Sequence, residues 1–192
     1  MPQTSNCAVN VIKPVFPASR STNDTQLRAT WLGHACYYVE FPGGLRVLFD
    51  PVFSDRCSPV QFMGPKRYTK APCAIADIPE VDIVCISHSH YDHLDHGSIC
   101  QLRKSHPKAT YFVPLGNKQW FTSMGVKECV ELDWWEQREV ELTGEKAGER
   151  VDATITLLPC QNTGGRGRTD RAATLWGSWG VRSGGKNVYF AG

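Results

Sequence analysis

A short apolar run that ends in a cluster of metal-type ligands constrains the fold of this chain more than any other feature. Residues 81–87 read VDIVCIS, a continuous run rich in β-branched residues, as is typical of a strand covered on both faces. The next six residues read HSHYDH, and four of them are histidine or aspartate. Beyond them, Ile99 and Leu102 lie three apart, Asp95 can serve as an N-cap and Pro107 follows the end, which predicts a helix. The sequence therefore predicts a central strand, a ligand loop and a helix, in that order.

The spacing within the ligand loop predicts two adjacent metal ions. Residues two apart on an extended strand point to the same side, so His88 and His90 would direct both imidazoles toward one metal. Asp92 and His93 approach from the turning loop in another direction, which suits a second metal. Imidazole and carboxylate ligands favour Zn²⁺, and iron or manganese are the alternatives that ligand type leaves open.

The rest of the chain predicts one α/β domain with a mixed sheet. Residues 1–27 are rich in Ser, Thr, Asn and Pro, and we predict a disordered leader there, with the domain at 28–192. Strands Tyr37–Phe41 and Leu45–Phe49 flank a Pro-Gly-Gly turn and predict a hairpin. Val52–Pro79 predicts a long irregular connection, of the kind that often carries function.

Strand and helix signals alternate through the next part of the chain and then give way to consecutive strands. Thr110–Pro114 predicts a strand, and a short helix that Gly125 closes follows it. Mostly β-type segments come after it: ECVELDW, REVEL, ATITLLP, TLWGSWGVRS and NVYFA. This order favours α/β layering.

Composition excludes some classes of partner and location. The 21 basic and 19 acidic residues give a net charge of +2, too weak a field to predict nucleic-acid binding. Eight cysteines without a C-x-x-C pair predict free thiols and an intracellular, reducing compartment. The N-terminus has no apolar signal region, so we expect no secretion, and no run is long enough for a transmembrane helix. A peripheral membrane contact stays open.

The ligand loop and its flanks resemble a known family. SHSHYDHLD resembles the signature of the metallo-β-lactamase superfamily, which implies an αββα sandwich with a hydrolytic site for one or two metals at its edge. The flanking blocks are similar to the N-acylphosphatidylethanolamine-hydrolysing phospholipase D family over residues 28–192. These blocks are TWLGHACYYVEF, LFDPVFSDRCSP, QFMGPKRYTKAPC, FVPLGNKQWF, ELDWWE and TLWGSW. The resemblance implies zinc-dependent hydrolysis of N-acylphosphatidylethanolamine to N-acylethanolamine and phosphatidic acid at a membrane surface. Another hydrolase of the same fold is the alternative.

The resemblance also implies roles for individual residues. His88 and His90 match ligands of a first zinc, and Asp92 and His93 match ligands of a second. Tyr91 matches a position that contacts the phospholipid, although its ring could instead pack against the loop.

Other residues near these motifs keep two interpretations. Asp50 matches an aspartate that supports the ligands without binding metal, and by itself it would read as a turn residue. His34 could face the metals or be a hydrogen-bonded structural histidine. We expect His96 and His106 to be ordinary polar residues. Four aromatic residues are candidates for lipid contact or for core packing: Phe53, Phe62, Trp120 and Phe121.

The sequence departs from the family pattern at one ligand. Asn162 stands where the family has a third zinc-binding histidine, and an amide oxygen is a much weaker zinc partner. The family's bridging carboxylate would follow the FAG at which this sequence stops, and its last histidine lies further on. We therefore expect a C-terminally truncated, incomplete domain that is inactive alone, with a shortened pseudoenzyme that binds lipid or protein as the alternative. We also expect the second set of strands and helices to be missing, leaving open apolar faces that favour self-association, with a homodimer possible.

Overall fold

The computed structural model describes residues 10–17, 25–143, 150–167, 170 and 173–192. Within these residues the chain forms ten strands and two α-helices. In chain order they are β1 (Arg28–Gly33), β2 (Cys36–Glu40), β3 (Arg46–Phe49), β4 (Ile83–Cys85), α1 (His96–Ser105), β5 (Thr110–Pro114), α2 (Lys118–Ser123), β6 (Cys129–Leu132), β7 (Gln137–Thr143), β8 (Arg150–Leu158), β9 (Ser178–Ser183) and β10 (Lys186–Phe190).

The first sheet is mixed, as the sequence predicts. Its strands run in the order β1-β2-β3-β4-β5-β6. The β1–β2 and β2–β3 pairs are antiparallel, and the other three pairs are parallel. Strand β4 lies between β3 and β5, and every residue of β3 and β4 is buried, which confirms the central strand. The predicted hairpin is confirmed as β2 and β3.

Strand β8 shows why the second sheet forms. The sheet is antiparallel, in the order β10-β9-β8-β7. Val151, Ala153, Ile155 and Leu157 alternate inward along β8 and are buried in a core shared with the first sheet, whereas the residues between them are exposed or half-buried. This alternation is the pattern of a strand with one solvated face. Trp179 of β9 lies in the same core, and its indole N–H donates to the Ile86 carbonyl at 2.9 Å, which joins the second sheet to the end of β4.

The second sheet corrects one expectation. The resemblance led us to expect missing strands and open apolar faces, but β7 to β10 are present and their apolar residues face the first sheet. The outward positions include Glu139, Asp152, Thr154 and Arg182, so the described outer face is largely polar. No described helix packs on it. The layers in the described residues are therefore helices, mixed sheet and antiparallel sheet.

Helix α1 covers the other face of the first sheet. Asp95 is its N-cap and accepts hydrogen bonds from the Ser98 backbone N–H at 3.0 Å and the Ser98 hydroxyl at 2.5 Å. Ile99 and Leu102 are buried against the sheet, as the spacing predicts. Helix α2 buries Phe121 in the same layer. No described helix is long and apolar enough to cross a membrane.

Two further predictions concern the loops and the leader. Val52–Pro79 is irregular apart from one isolated bridge between Arg56 and Lys66 and a 3₁₀ turn at Ile75–Asp77. The predicted leader lies partly outside the described residues. Within it, Phe16 is partly buried, and its ring lies edge-on to that of Tyr38 with centroids 5.3 Å apart, so this piece contacts the core. The seven cysteines in the described residues are free thiols, and Cys7 lies outside them.

Candidate metal centre

The predicted ligands lie where two parallel strands end. Asp50 directly follows β3, and Ser87 and His88 lie two and three residues beyond the end of β4. Because β3 and β4 are parallel neighbours, their carboxyl ends meet at one edge of the sheet. The Asp50 backbone N–H donates to the Cys85 carbonyl at 3.0 Å, which extends the pairing to this edge. The ligand loop therefore starts beside Asp50.

Asp50 organises the start of the ligand loop. Its side chain is fully buried and accepts from the Ser87 backbone N–H at 2.7 Å and the Ser87 hydroxyl at 2.5 Å. The same oxygen that accepts the hydroxyl lies 2.7 Å from Nδ1 of His93. Burial lowers the pKa of His93, but the hydrogen bond and the charge of Asp50 outweigh it and raise the pKa. Asp50 thus holds the Nδ1 proton of His93 and leaves Nε2 available as a metal ligand.

His88 is the buried member of the cluster. Burial and the neighbouring rings of His93 and His90 lower the pKa of His88 to about 3, so the ring is neutral at physiological pH. Its Nδ1 lies 2.8 Å from the Ser87 hydroxyl. Its ring centroid lies 4.1 Å from that of His93 and 4.6 Å from that of His90. Neutral imidazole is the form that binds metals.

Asp92 faces the opposite side of His93. Burial raises the pKa of Asp92, but His93 and a hydrogen bond from His34 outweigh it and lower the pKa. The Asp92 carboxylate lies 3.1 Å from Nε2 of His34 and 3.7 Å from Nε2 of His93. Of its two interpretations, the structure supports the one in which His34 faces the candidate ligands. Its ring is hydrogen-bonded to one of them, Asp92.

These residues form two overlapping groups that fit metal ions. In each group the ligand atoms lie within 4.8 Å of one another: His34, Asp92 and His93 in one, and Asp50, His88 and His93 in the other. Both groups contain His93, and both combine imidazole with carboxylate, the donor set that suits zinc. His90 belongs to neither group but stands edge-on to His88.

Two site residues hold an unusual backbone conformation. His34 has φ of 49° and Asp50 has φ of 40°, a left-handed region in which residues other than glycine are uncommon. Such conformations cost about 1–3 kcal/mol and cluster at functional sites. At Asp50, the three side-chain hydrogen bonds hold this conformation in place.

A cavity of about 570 Å³ opens onto the cluster. His34, His90, Tyr91 and Asp92 line one side, and the irregular connection lines the other through residues 65–69 among others. The cavity is therefore the space in which a substrate would meet the candidate ligands.

Arg166 braces the ligand loop from outside the cavity. It donates to the carbonyls of Ser89 at 3.0 Å and Leu94 at 2.8 Å, which lie at either end of the loop. Its guanidinium lies over the rings of Tyr91 and Trp120, 4.1 Å and 5.2 Å from their centroids. Tyr91 thus both lines the cavity and packs against the protein.

Asn162 lies on the segment that carries Arg166. The segment runs beside the ligand loop, because the Gly165 N–H donates to the Ser89 hydroxyl at 2.8 Å. Asn162 is exposed, and its side-chain oxygen accepts from the Thr163 N–H at 2.8 Å. Among its described residues, 160–167, the segment offers no imidazole.

The remaining candidates lie apart from the cluster. His96 is exposed beside Trp120, and buried His106 caps α1; neither joins the groups above. Ser87 and Arg166 are site residues that sequence reasoning missed. Ser87 carries no metal-binding chemistry, and Arg166 sits in a Gly-rich stretch without periodicity, more than 70 residues from the loop that it contacts.

With this geometry in place, comparison with known proteins identifies the family. A sequence profile described as "Beta-lactamase superfamily domain" matches residues 45–192. The chain belongs to this superfamily. Among solved structures, a protein from Parabacteroides distasonis described as a metal-dependent hydrolase has a TM-score of 0.50 and 20% identity, covering 86% of this chain and 60% of its own. This likeness supports the fold.

Two curated relatives of this superfamily member carry the same printed activity. The N-acyl-phosphatidylethanolamine-hydrolyzing phospholipase D 1 of Caenorhabditis elegans is 37% identical over 175 residues, which cover 88% of this chain and 47% of the relative. The mitochondrial N-acyl-phosphatidylethanolamine-hydrolyzing phospholipase D of Saccharomyces cerevisiae is 36% identical over 161 residues, covering 84% and 32%. The chain thus spans less than half the length of these relatives.

Proposed function

We propose that this chain carries the metal-binding part of a zinc-dependent phospholipase D that hydrolyses N-acylphosphatidylethanolamine to N-acylethanolamine and phosphatidic acid. The observation that carries the proposal is the group of His34, Asp92 and His93, two of whose members, His34 and Asp92, line the cavity. The printed activities of the two curated relatives support the substrate. We further propose that the protein works inside the cell, attached peripherally to a membrane, with a homodimer as a form to test.

The proposed ligands divide between two zinc ions. His88 and His90 would hold the first, and Asp92 and His93 would hold the second, with His34 adding a nitrogen near Asp92. In such sites the bound metals supply Lewis acidity and a hydroxide nucleophile at neutral pH. The fit rests on the buried neutral ring of His88 and on the Nδ1 contact with Asp50 that orients His93.

The chain's own residues would position the substrate. Tyr91 faces the cavity, where its ring can contact the phospholipid, and Arg166 beneath it fixes the ring. Lys66 lines the opposite wall and offers a cation to a phosphate oxygen. Arg67 donates to the carbonyls of Thr69 and Val52, so its role there is to hold the loop.

Asn162 favours a second candidate function. If the first zinc needs an imidazole from the segment beside the ligand loop, this chain would bind phospholipid without hydrolysing it, as a pseudoenzyme. The amide of Asn162 already accepts from the Thr163 N–H, and an amide is a weak zinc ligand.

Zinc stoichiometry and turnover together separate the two candidates. We would measure bound zinc for the 192-residue chain, for Asn162→His, and for Asn162→Gln as the matched control, and the release of N-acylethanolamine for the same three forms of a chain extended past Gly192. An enzyme whose only local defect is Asn162 should gain zinc and turnover with histidine and not with glutamine. Zinc without turnover in every form would favour the pseudoenzyme. Absence of zinc in every form would refute the metal centre.

A further inference from the structure

The loop at residues 56–70, which we call the rim loop, carries an unusual exposed surface. Phe62 is 83% exposed and Met63 66%, and the Tyr68 side chain is fully exposed. The sequence analysis named four aromatic residues as candidates for lipid contact, and they differ in solvent exposure. Phe121 is fully buried, and Phe53 and Trp120 are partly buried against the core. Phe62 is the one of the four that points into solvent.

Hydrogen bonds fix the rim loop in a closed turn. The Cys57 N–H donates to the Pro65 carbonyl at 3.0 Å, and the Arg56 guanidinium donates to the Gly64 carbonyl at 2.5 Å. The Arg67 N–H donates to the Asp55 carbonyl at 2.9 Å. The apolar tip of the loop, Phe62 and Met63, is thus exposed at the end of a turn whose base is held by hydrogen bonds.

The rim loop stands at the mouth of the site cavity. Lys66, Arg67 and Tyr68 line that cavity opposite Tyr91 and Asp92. Gly33 lets the loop pack against the β1–β2 turn, since a Cβ there would lie 2.8 Å from the guanidinium of Arg67. The exposed indole of Trp31, on β1 just before this turn, donates to the His34 carbonyl at 2.8 Å. Tyr68 and Tyr91 therefore line the cavity, and Trp31 is exposed on the strand beside it.

The positive charge around this tip favours an anionic membrane surface over a second copy of the loop as its partner. Residues 56–76 contain four basic residues and no acidic one. A second copy of the loop would bring the same positive charge and be repelled, whereas anionic phospholipid headgroups would attract it. Phe, Trp and Tyr beside Lys are the side chains that enter a bilayer interface.

We infer that the rim loop is the membrane-docking element of this protein, with Phe62 and Met63 entering the interface and Lys66 and Lys70 contacting anionic headgroups. Docked in this way, the mouth of the cavity faces the bilayer. The inference rests on the proposed phospholipid substrate for its purpose, but it is a statement about binding and can be tested without turnover.

Vesicle sedimentation tests the inference. The chain is mixed with vesicles of phosphatidylcholine alone or of phosphatidylcholine with phosphatidylglycerol, and bound protein is quantified. Replacing Phe62 and Met63 together by serine should weaken partitioning to both by about tenfold or more. Replacing Lys66 and Lys70 by glutamine should weaken it about fivefold per charge on anionic vesicles only. Trp135→Asn removes an equally exposed aromatic residue outside the loop and should bind like the parent.

The outcomes separate this inference from the proposed function. Unchanged partitioning of the Phe62 and Met63 variant, or no binding by the parent chain, overturns the docking role. Loss of a dimer in sedimentation velocity without a change in vesicle binding assigns the loop to self-association and also overturns it. Vesicle binding through the loop by a chain that binds no zinc leaves the docking role standing and refutes the proposed zinc-dependent function.

Discussion

Replacing Asp50 by asparagine isolates the charge that orients His93. Asparagine accepts the left-handed backbone of this position readily, so the change adds little strain. With its amide oxygen kept toward the Ser87 N–H, the new amide nitrogen would face the Ser87 hydroxyl and Nδ1 of His93. The amide N–H of asparagine would then face the Nδ1–H of His93, and two donors cannot form a hydrogen bond. His93 must move, or shift its proton to Nε2 and lose that lone pair for metal binding.

The magnitude follows from the contacts that are lost. Two short hydrogen bonds end on the carboxylate oxygen that is replaced, at 2.5 Å and 2.7 Å. Bonds to a charged group contribute about 1.5–3 kcal/mol each, and one neutral bond is regained, so we expect a destabilisation of roughly 2–4 kcal/mol. Zinc affinity should fall by about 10–100-fold, as for other partners that orient metal ligands.

The pH dependence of the same variant tests the cause. In the metal-free chain the pKa of His93 is raised above its ordinary value of 6.5, so its protonated form stabilises the fold below that pH. This contribution is lost as pH rises through the raised pKa. The gap in unfolding free energy between the parent and Asp50→Asn should therefore be widest in mild acid and narrow toward alkaline pH. It should not close, because Asp50 still accepts from neutral His93.

Urea denaturation of the metal-free chain, zinc competition titration and ¹⁵N NMR of the imidazoles give the three readouts. A tautomer shift at His93 in the variant is the signature that mere loss of packing would not produce. An unfolding free energy within about 0.5 kcal/mol of the parent, with His93 still protonated at Nδ1, would refute the reasoning.

Three further predictions concern other parts of the fold and site. Trp179→Phe removes the donor to the Ile86 carbonyl and should cost about 2–4 kcal/mol in urea denaturation, whereas Trp135→Asn on the surface should cost less than about 0.5 kcal/mol. Arg166→Met removes two contacts to the ligand loop and should lower zinc affinity roughly tenfold or more by competition titration, with Arg166→Lys intermediate. The metal-free chain should lose stability as pH falls from 6.5 toward 3, because His88 binds a proton in the unfolded chain while its lowered pKa keeps it neutral in the folded chain. The His88→Asn variant should show a smaller loss of unfolding free energy over this pH range.

Local patterns were enough to predict the strand, loop and helix around the candidate site. The apolar run before His88, the spacing of Ile99 and Leu102, and Asp95 at the helix start are all signals within a few residues of one another. The segments of the second sheet were predicted as β-type, but their assembly into a second sheet was not, for a different reason. The resemblance compares ligand motifs, not strands, and we inferred missing strands from missing motifs. The alternation along β8 was present in the sequence and describes a half-buried strand correctly.

The contacts that assemble the site could not be read from the sequence. His34 lies 58 positions from Asp92, and Arg166 lies 72 positions from Leu94. No periodic sequence pattern predicts either contact. The positive φ of His34 and Asp50 is also a backbone conformation that residues other than glycine seldom adopt. Such positions are set by tertiary packing, and they are where local propensity is expected to fail.

Hydrogen bonds within the protein organise the start of the ligand loop around Asp50. Asp50 is buried, holds a strained backbone and is fixed by contacts with Ser87 and His93 that involve no metal. We therefore expect the metal-free chain to fold, unlike small domains that fold only around their metal. The two proposed zinc sites differ in their dependence on Asn162, because only the first, at His88 and His90, would take a ligand from that segment. The group of His34, Asp92 and His93 is built from the β1–β2 turn and the ligand loop alone. Asparagine at position 162 should therefore weaken the first centre and leave the second able to bind zinc.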